Sequence, residues 1–185
     1  MRSGAGLFWA RAQVRVTEFL FRYGGHDNHV AAPEIPFAKA RSDRRELLPD
    51  NRPMKVRLHC IWRVIPVPVL IVPRLPGRIV GLSLGPCVLL RADYGDDWPT
   101  IVHELEHCKQ FWRGGALIHL YRYLASPEYR LRIELEAYQA ELAACLPAER
   151  RARLYDSAHA LAHGYGLGVD ARLCRRLLLS FPARR

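Results

Sequence analysis

Residues 96–115 read DDWPTIVHELEHCKQFWRGG, and the fold and chemistry of the chain turn on this stretch. Asp96-Asp97 put carboxylates where a helix begins, and Pro99 suits a first turn, where its missing N–H would have no partner anyway. Gly114-Gly115 supply the freedom that a helix stop uses, so the pattern predicts a helix running to Arg113. Inside it lies His103-Glu104-Leu105-Glu106-His107. Histidines four apart stand one above the other on one helical face, so both imidazoles can reach a single ion. A glutamate directly after the first histidine lies beside that face. There it can take a proton from a metal-activated water without itself being a ligand.

The texture on either side differs. Upstream, Ile61–Val72 and Ile79–Leu90 are β-branched and apolar, broken by Pro66, Pro68, Pro73, Pro76, Gly81, Gly85 and Pro86. Such breakers predict short or edge strands joined by hairpin turns, hence a small antiparallel sheet over about 56–91. Downstream the pattern stays helical. A second helix is expected over about 116–125, and Ser126-Pro127 opens a third that runs to about Leu146, where Pro147 ends it. A fourth follows from Ala148 to about His163, and a fifth covers about 170–180. The fold class is therefore α+β, a sheet followed by a helical half. Residues 54–185 form this domain. Residues 1–53 read as an arm, with an amphipathic helix over 7–23 and then a poorly ordered basic segment whose His26–His29 cluster suits an exposed polar loop.

His-Glu-x-x-His on one helix with Glu134-Leu135-Glu136-Ala137 on a later one resembles the gluzincin-type zinc metallopeptidases. The likeness is closest to small bacterial members with a strand pair, an HExxH-xx-Gln string that Gln110 fits, and a Glu-x-Glu-Ala helix. It covers about Ile79 to Leu146. It implies a zincin-like metallopeptidase domain in which His103, His107 and Glu134 hold Zn2+. A water fills the fourth position, and Glu104 is the general base in peptide-bond hydrolysis. The chain departs from the family at Tyr138, where an aspartate usually supports a histidine ligand; Glu141 one turn later, or Tyr138 itself, is left to do so. The longer metzincin motif fails, because positions 110 and 113 are Gln and Arg. His119 could imitate the third ligand of SprT-like proteases, but its apolar surroundings in Ala116–Leu124 suit a packed histidine better.

Helix phase separates the two downstream carboxylates without the family. With Leu131 as origin and about 100° per residue, Leu135, Tyr138 and Leu142 define the core stripe. Glu134 then falls at the stripe's edge beside Tyr138 and Glu141, whereas Glu136 falls on the opposite flank with Arg132 and Gln139. A ligand must face the neighbouring helix, which favours Glu134. A hydrogen-bond donor to the reacting carbonyl is open among His159, His163, Tyr129, Tyr138 and Tyr165.

Composition bounds the partners. Lys+Arg 28 against Asp+Glu 18 leaves a net charge of +10, compatible with nucleic acid, anionic membrane or acidic proteins but diagnostic of none. The clusters Arg150-Arg151-Arg153 and Arg172-Arg175-Arg176 suit solvated faces, and nucleic acid binding has no aromatic-interleaved motif behind it. Val64–Pro73 is ten uncharged residues with three prolines, and the longest uncharged stretch, Ile79–Leu90, is only twelve, so no transmembrane segment is expected. Five cysteines without a CxxC, an odd number, point to reduced thiols and a cytoplasmic protein. Arg11 and Arg15 interrupt any leader at the N-terminus, although a start at Met54 would make Ile61–Pro73 look like one. The expected partner is a peptide or protein substrate. The competing reading is a basic protein- or nucleic-acid-binding module with a structural or vestigial metal site.

Overall fold

A computed structural model describes residues 53–77 and 79–180. The helix expected over 7–23, the His26–His29 cluster and the rest of the arm up to residue 52 lie outside these described residues. Four strands come first: β1 (Lys55–Ile61), β2 (Ile65–Val72), β3 (Gly81–Ser83) and β4 (Val88–Arg91). Five helices follow: α1 (Trp98–Gly114), α2 (Ala116–Ala125), α3 (Pro127–Ala144), α4 (Pro147–Gly164) and α5 (Ala171–Ser180). The α+β organisation is as the sequence predicts.

The sheet itself is mixed, in the order β1-β2-β4-β3. β1–β2 and β3–β4 are antiparallel as expected, but β2 and β4 run parallel, with Val69 opposite Val88 and Val72 opposite Arg91. The reason is connectivity. The chain leaves β2 at Val72, crosses to the far edge to form β3, and turns back through Gly85 into β4, which brings β4 alongside β2 in the same direction. This also explains how Pro66 and Pro68 fit an inner strand. β4 pairs only with Val69–Val72, so both prolines occupy the part of β2 that has a neighbour on one side only. The apolar run Ile61–Val72 is not one strand. Trp62 and Arg63 take φ of 51° and 61° and turn the chain between β1 and β2 without a glycine.

One face of the sheet packs on α1. Val67, Val69, Val88 and Leu90 are fully buried there with Ile101, Leu105 and Cys108 of the helix; each such aliphatic side chain contributes about 1.5–3 kcal/mol. A second core joins Leu135, Tyr138 and Leu142 of α3 to Ala158 and Leu161 of α4 and Cys174 and Leu178 of α5. The His103–His107 stretch falls between the two cores, with Leu105 in the first and His103 against Tyr138 of the second. α1 begins as expected but is capped differently. Asp97 occupies the N-cap, yet its carboxylate accepts from the Thr100 hydroxyl and from Arg153, not from a backbone N–H. Pro147 does more than end α3: it opens the first turn of α4. Among the described residues, no helix is long and apolar enough to cross a membrane.

Candidate metal centre

α1 and α3 pack side by side and present His103, His107 and Glu134 to one point, their nearest ligand atoms all within 4.8 Å of one another. His103 Nε2 and His107 Nε2 are 3.2 Å apart, and Glu134 Oε2 lies 3.7 Å from the first and 3.5 Å from the second. Ligands bound tetrahedrally at zinc bond lengths sit about 3.3 Å from each other. The spacing fits a single small ion.

The groups behind the rings fix their protonation. His103 Nδ1 is 3.0 Å from Glu141 Oε2, a carboxylate that can only accept, so this nitrogen carries the proton. His107 Nδ1 is 2.8 Å from Gln110 Oε1. Gln110 turns that oxygen toward the histidine because its Nε2 donates to the Ile133 carbonyl, at 2.9 Å, and to Glu136 Oε2, at 3.4 Å. His107 therefore also donates through Nδ1. Both Nε2 lone pairs are left facing inward, toward a carboxylate oxygen that is shielded from solvent and has no hydrogen-bond partner. Three acceptors converging in a dry site repel one another unless a cation stands between them.

A proton is the only substitute at hand. Burial opposes charge on His107, but the Glu134 carboxylate outweighs it and lifts the ring to about 9. Burial likewise opposes the charge on Glu134, and the two histidines with the Tyr123 hydroxyl overcome it, bringing the carboxyl down to about 2. The residues present suit a divalent cation with nitrogen and oxygen ligands, such as zinc.

Glu104 stands beside the cluster and is 7% exposed. Its carboxyl is raised by burial, against the pull of His103 and His107. β3 packs tightly on it: a Cβ built at Gly81 would lie 2.8 Å from the Glu104 Cδ. Glycine at that position is what allows the edge strand to approach so closely.

The support that the sequence left open between Glu141 and Tyr138 belongs to Glu141. Arg153 of α4 bridges Glu141, at 3.3 Å, and Asp97, at 2.8 Å, so the start of α1 and the outer side of the site are tied to one guanidinium. Tyr138 instead meets the His103 ring edge to face, centroids 4.4 Å apart, and shares a 3.1 Å hydrogen bond with Tyr165. Tyr129 is bonded to His119 Nδ1 at 3.0 Å, and burial lowers His119 to about 4, as befits a packed neutral ring outside the metal cluster. His159 and His163 are exposed on α4 and face each other. Glu136, expected to be solvated, is half-buried and holds Gln110. Sequence reasoning missed Tyr123, whose hydroxyl donates a 2.6 Å bond to Glu134 Oε1 and so turns Oε2 toward the histidines. Its only signal was the i, i+4 spacing of His119 and Tyr123 on one side of an apolar helix. Compared with known proteins, the chain matches no family model, no curated protein and no solved structure.

Proposed function

We propose that the protein is a zinc-dependent metallopeptidase of gluzincin type, acting on a peptide or protein in the cytoplasm. The observation that carries this reading is the convergence of two outward-protonated histidines and the unpartnered Glu134 Oε2 on one buried point. His103, His107 and Glu134 would be its three protein ligands, a set that leaves the ion open to water or substrate, as catalysis requires. Zinc held there supplies Lewis acidity and lowers the pKa of a coordinated water toward 7. Glu104 takes the proton from the attacking water and hands it to the leaving amine. Burial suits it to that exchange by making its carboxyl a stronger base than an exposed one.

β3 offers a place for the substrate backbone. Val80 and Leu84 bond to the β4 side through Arg91 N–H and the Cys87 carbonyl, and Leu82 sits opposite Leu89. By the alternation of an antiparallel pair, the N–H and C=O groups of Gly81 and Ser83 turn to the open edge. An extended peptide added to that edge lies next to Glu104, which touches Gly81. The cytoplasmic assignment is supported by five free thiols, three of them buried.

Metal analysis paired with a peptide-cleavage assay tests the proposal. Folded protein should retain about one zinc per chain at neutral pH and cleave peptides in a chelator-sensitive way. A folded protein that takes up no divalent metal would end this reading. Retention of zinc with no cleavage of any peptide would favour the basic binding module with a structural ion.

A further inference from the structure

Among the described helices α2 is the most apolar, ALIHLYRYLA, yet none of its residues is buried. Its two sides divide cleanly. At about 100° per residue, Ala116, His119, Leu120, Tyr123 and Leu124 fall on one arc, and all are half-buried. Through His119 and Tyr123 this inner arc reaches Tyr129 and Glu134 of α3. The other arc carries Leu117, Tyr121, Ile118 and Arg122. Leu117, Ile118 and Tyr121 are 55%, 57% and 72% exposed, and Trp112, at the end of α1, is 46% exposed.

Beside this apolar arc opens a pocket of about 130 Å3, lined by Arg113, Arg122 and Arg132 together with Gln110, Tyr129 and Glu136. Arg113 shares Glu106 with Lys109. Among the described residues, neither Arg122 nor Arg132 has a carboxylate partner; the Arg132 guanidinium lies 5.1 Å from the Tyr129 ring centroid, inside the roughly 6 Å at which a cation is drawn to an aromatic face. Arg122 belongs both to the exposed arc of α2 and to the pocket wall. Apolar anchors and a basic recess are thus parts of one surface.

We propose that this surface docks on an anionic lipid bilayer. Leu117, Ile118 and Tyr121 enter the interface, and a lipid headgroup phosphate sits against Arg122 and Arg132. Leucine and isoleucine as anchors, tyrosine at the level of the headgroups, and arginines at the rim are residue types an interfacial helix uses. The charge is complementary: the chain carries +10, and anionic headgroups attract such surfaces. A second copy of the chain is a poorer occupant. The ten residues of α2 span about 15 Å, and one exposed arc of that length falls well short of the roughly 800 Å2 that each side of a stable dimer buries. Since the inner arc of α2 bonds the Glu134 carboxylate, docking on this face sets the metal centre beside the membrane surface. The proposal stands on the exposed arc and the arginines, not on peptide hydrolysis.

Sedimentation of the full-length chain with vesicles tests it, and needs no turnover. Vesicles of phosphatidylcholine with about 30% phosphatidylglycerol should pellet the protein, and vesicles of phosphatidylcholine alone should not. Leu117→Gln with Ile118→Gln removes anchors without changing charge, and should weaken partitioning at least about tenfold. Arg122→Glu with Arg132→Glu should weaken it by at least as much. Arg151→Glu with Arg172→Glu makes the same charge change on exposed positions of α4 and α5, and should cost less than about threefold. The proposal is overturned if the wild type stays in the supernatant, if the α4 and α5 pair loses as much as the pocket pair, or if the Leu117 and Ile118 pair binds like wild type. A concentration-dependent dimer in solution that the Leu117 and Ile118 pair abolishes would also overturn it and give the face to a second copy.

Discussion

Two helical histidine pairs of identical spacing occur in this chain, His103-Glu104-Leu105-Glu106-His107 on α1 and His159-Ala160-Leu161-Ala162-His163 on α4. Each has a buried leucine at its middle, and in each the two rings meet, with centroids 4.9 and 4.4 Å apart. Spacing alone therefore brings imidazoles together in both places. What differs is the surroundings. The α4 pair is exposed, and alanine follows its first histidine. The α1 pair has Glu141 and Gln110 behind its rings, the Glu134 carboxylate from a neighbouring helix in front, and Glu104 alongside. What sets the candidate metal centre apart is the second element that packs against the pair, and the partners behind its rings, more than the pair itself.

The sharpest way to break this comparison is to remove the element that only one pair has. Glu134→Ala should cost most of the zinc affinity, more than about 100-fold, since replacing even a supporting partner costs 10–100-fold. Glu136→Ala should change it far less, and His159→Ala with His163→Ala should leave it unchanged. A zinc titration in which Glu136 outranks Glu134 would overturn the ligand assignment and the helix phase behind it. Glu104→Gln tests the residue that the α4 pair lacks. Zinc content should stay near wild type while peptide turnover falls at least about 100-fold, the scale of a lost general base. Wild-type turnover in that variant would remove Glu104 from the role of base.

Much of this contrast was legible in the sequence, for identifiable reasons. α1 announced itself through Pro99 and Gly114-Gly115, and the stripe of Leu131, Leu135, Tyr138 and Leu142 gave α3 a phase that put Glu134 inward, where it is 1% exposed. Local patterns carry this information because a helix turns by a fixed angle per residue. The parallel pairing of β2 with β4 was not legible, because a crossover depends on which distant strand is chosen as neighbour and leaves no period in the chain. Nor was the turn at Trp62-Arg63, where left-handed backbone occurs without the glycine or asparagine that signals it. Tyr123 and Gly81 escaped for a related reason: each acts on the site across an interface between elements, so nothing in its own neighbourhood marks it.

The supporting partners give the next smaller effect. Glu141→Ala leaves His103 Nδ1–H without its acceptor, and Gln110→Ala does the same to His107; each should weaken zinc binding about 10–100-fold. Equal affinity in both variants and wild type would mean that the inward lone pairs are not fixed from behind. The ion-free protein adds a pH signature. His107 is raised from 6.5 to about 9, so the stability it contributes with Glu134 is complete below 6.5 and is lost as pH rises through 9. Glu134 is depressed from 4.5 to about 2, so its contribution is present above 4.5 and is lost as pH falls through 2. Between 4.5 and 6.5 both are in place. Thermal unfolding of ion-free protein should therefore drop by a few degrees as the pH is taken from about 6.5 to 9.5. Glu134→Gln should flatten that fall, while His159→Ala with His163→Ala should preserve it. A wild-type curve as flat as that of Glu134→Gln would mean that no proton bridges the ion-free site.

The smallest expected effect concerns the strand that holds Glu104 in place. Gly81 has no need of glycine for its backbone angles; it is needed because the Glu104 carboxyl occupies the space where a side chain would begin. Gly81→Ala puts a methyl group 2.8 Å from the Glu104 Cδ, closer than carbon atoms approach, so the carboxyl must swing away by some tenths of an ångström. The backbone edge that would pair with substrate is unchanged, and the three candidate ligands lie on α1 and α3, none of them among the nearest atoms to the new methyl group. Displacing a catalytic group by 1 Å can cost about 100-fold, so a smaller shift of the base should lower kcat about tenfold with KM and zinc content close to wild type. The α4 pair has no counterpart to this contact, since Ala160 stands where Glu104 does. A kcat equal to wild type would show that Glu104 reaches the substrate from some other position than the one β3 gives it. A loss of zinc in parallel with kcat would instead place Gly81 in the support of the ligands, and the base would have to be sought again.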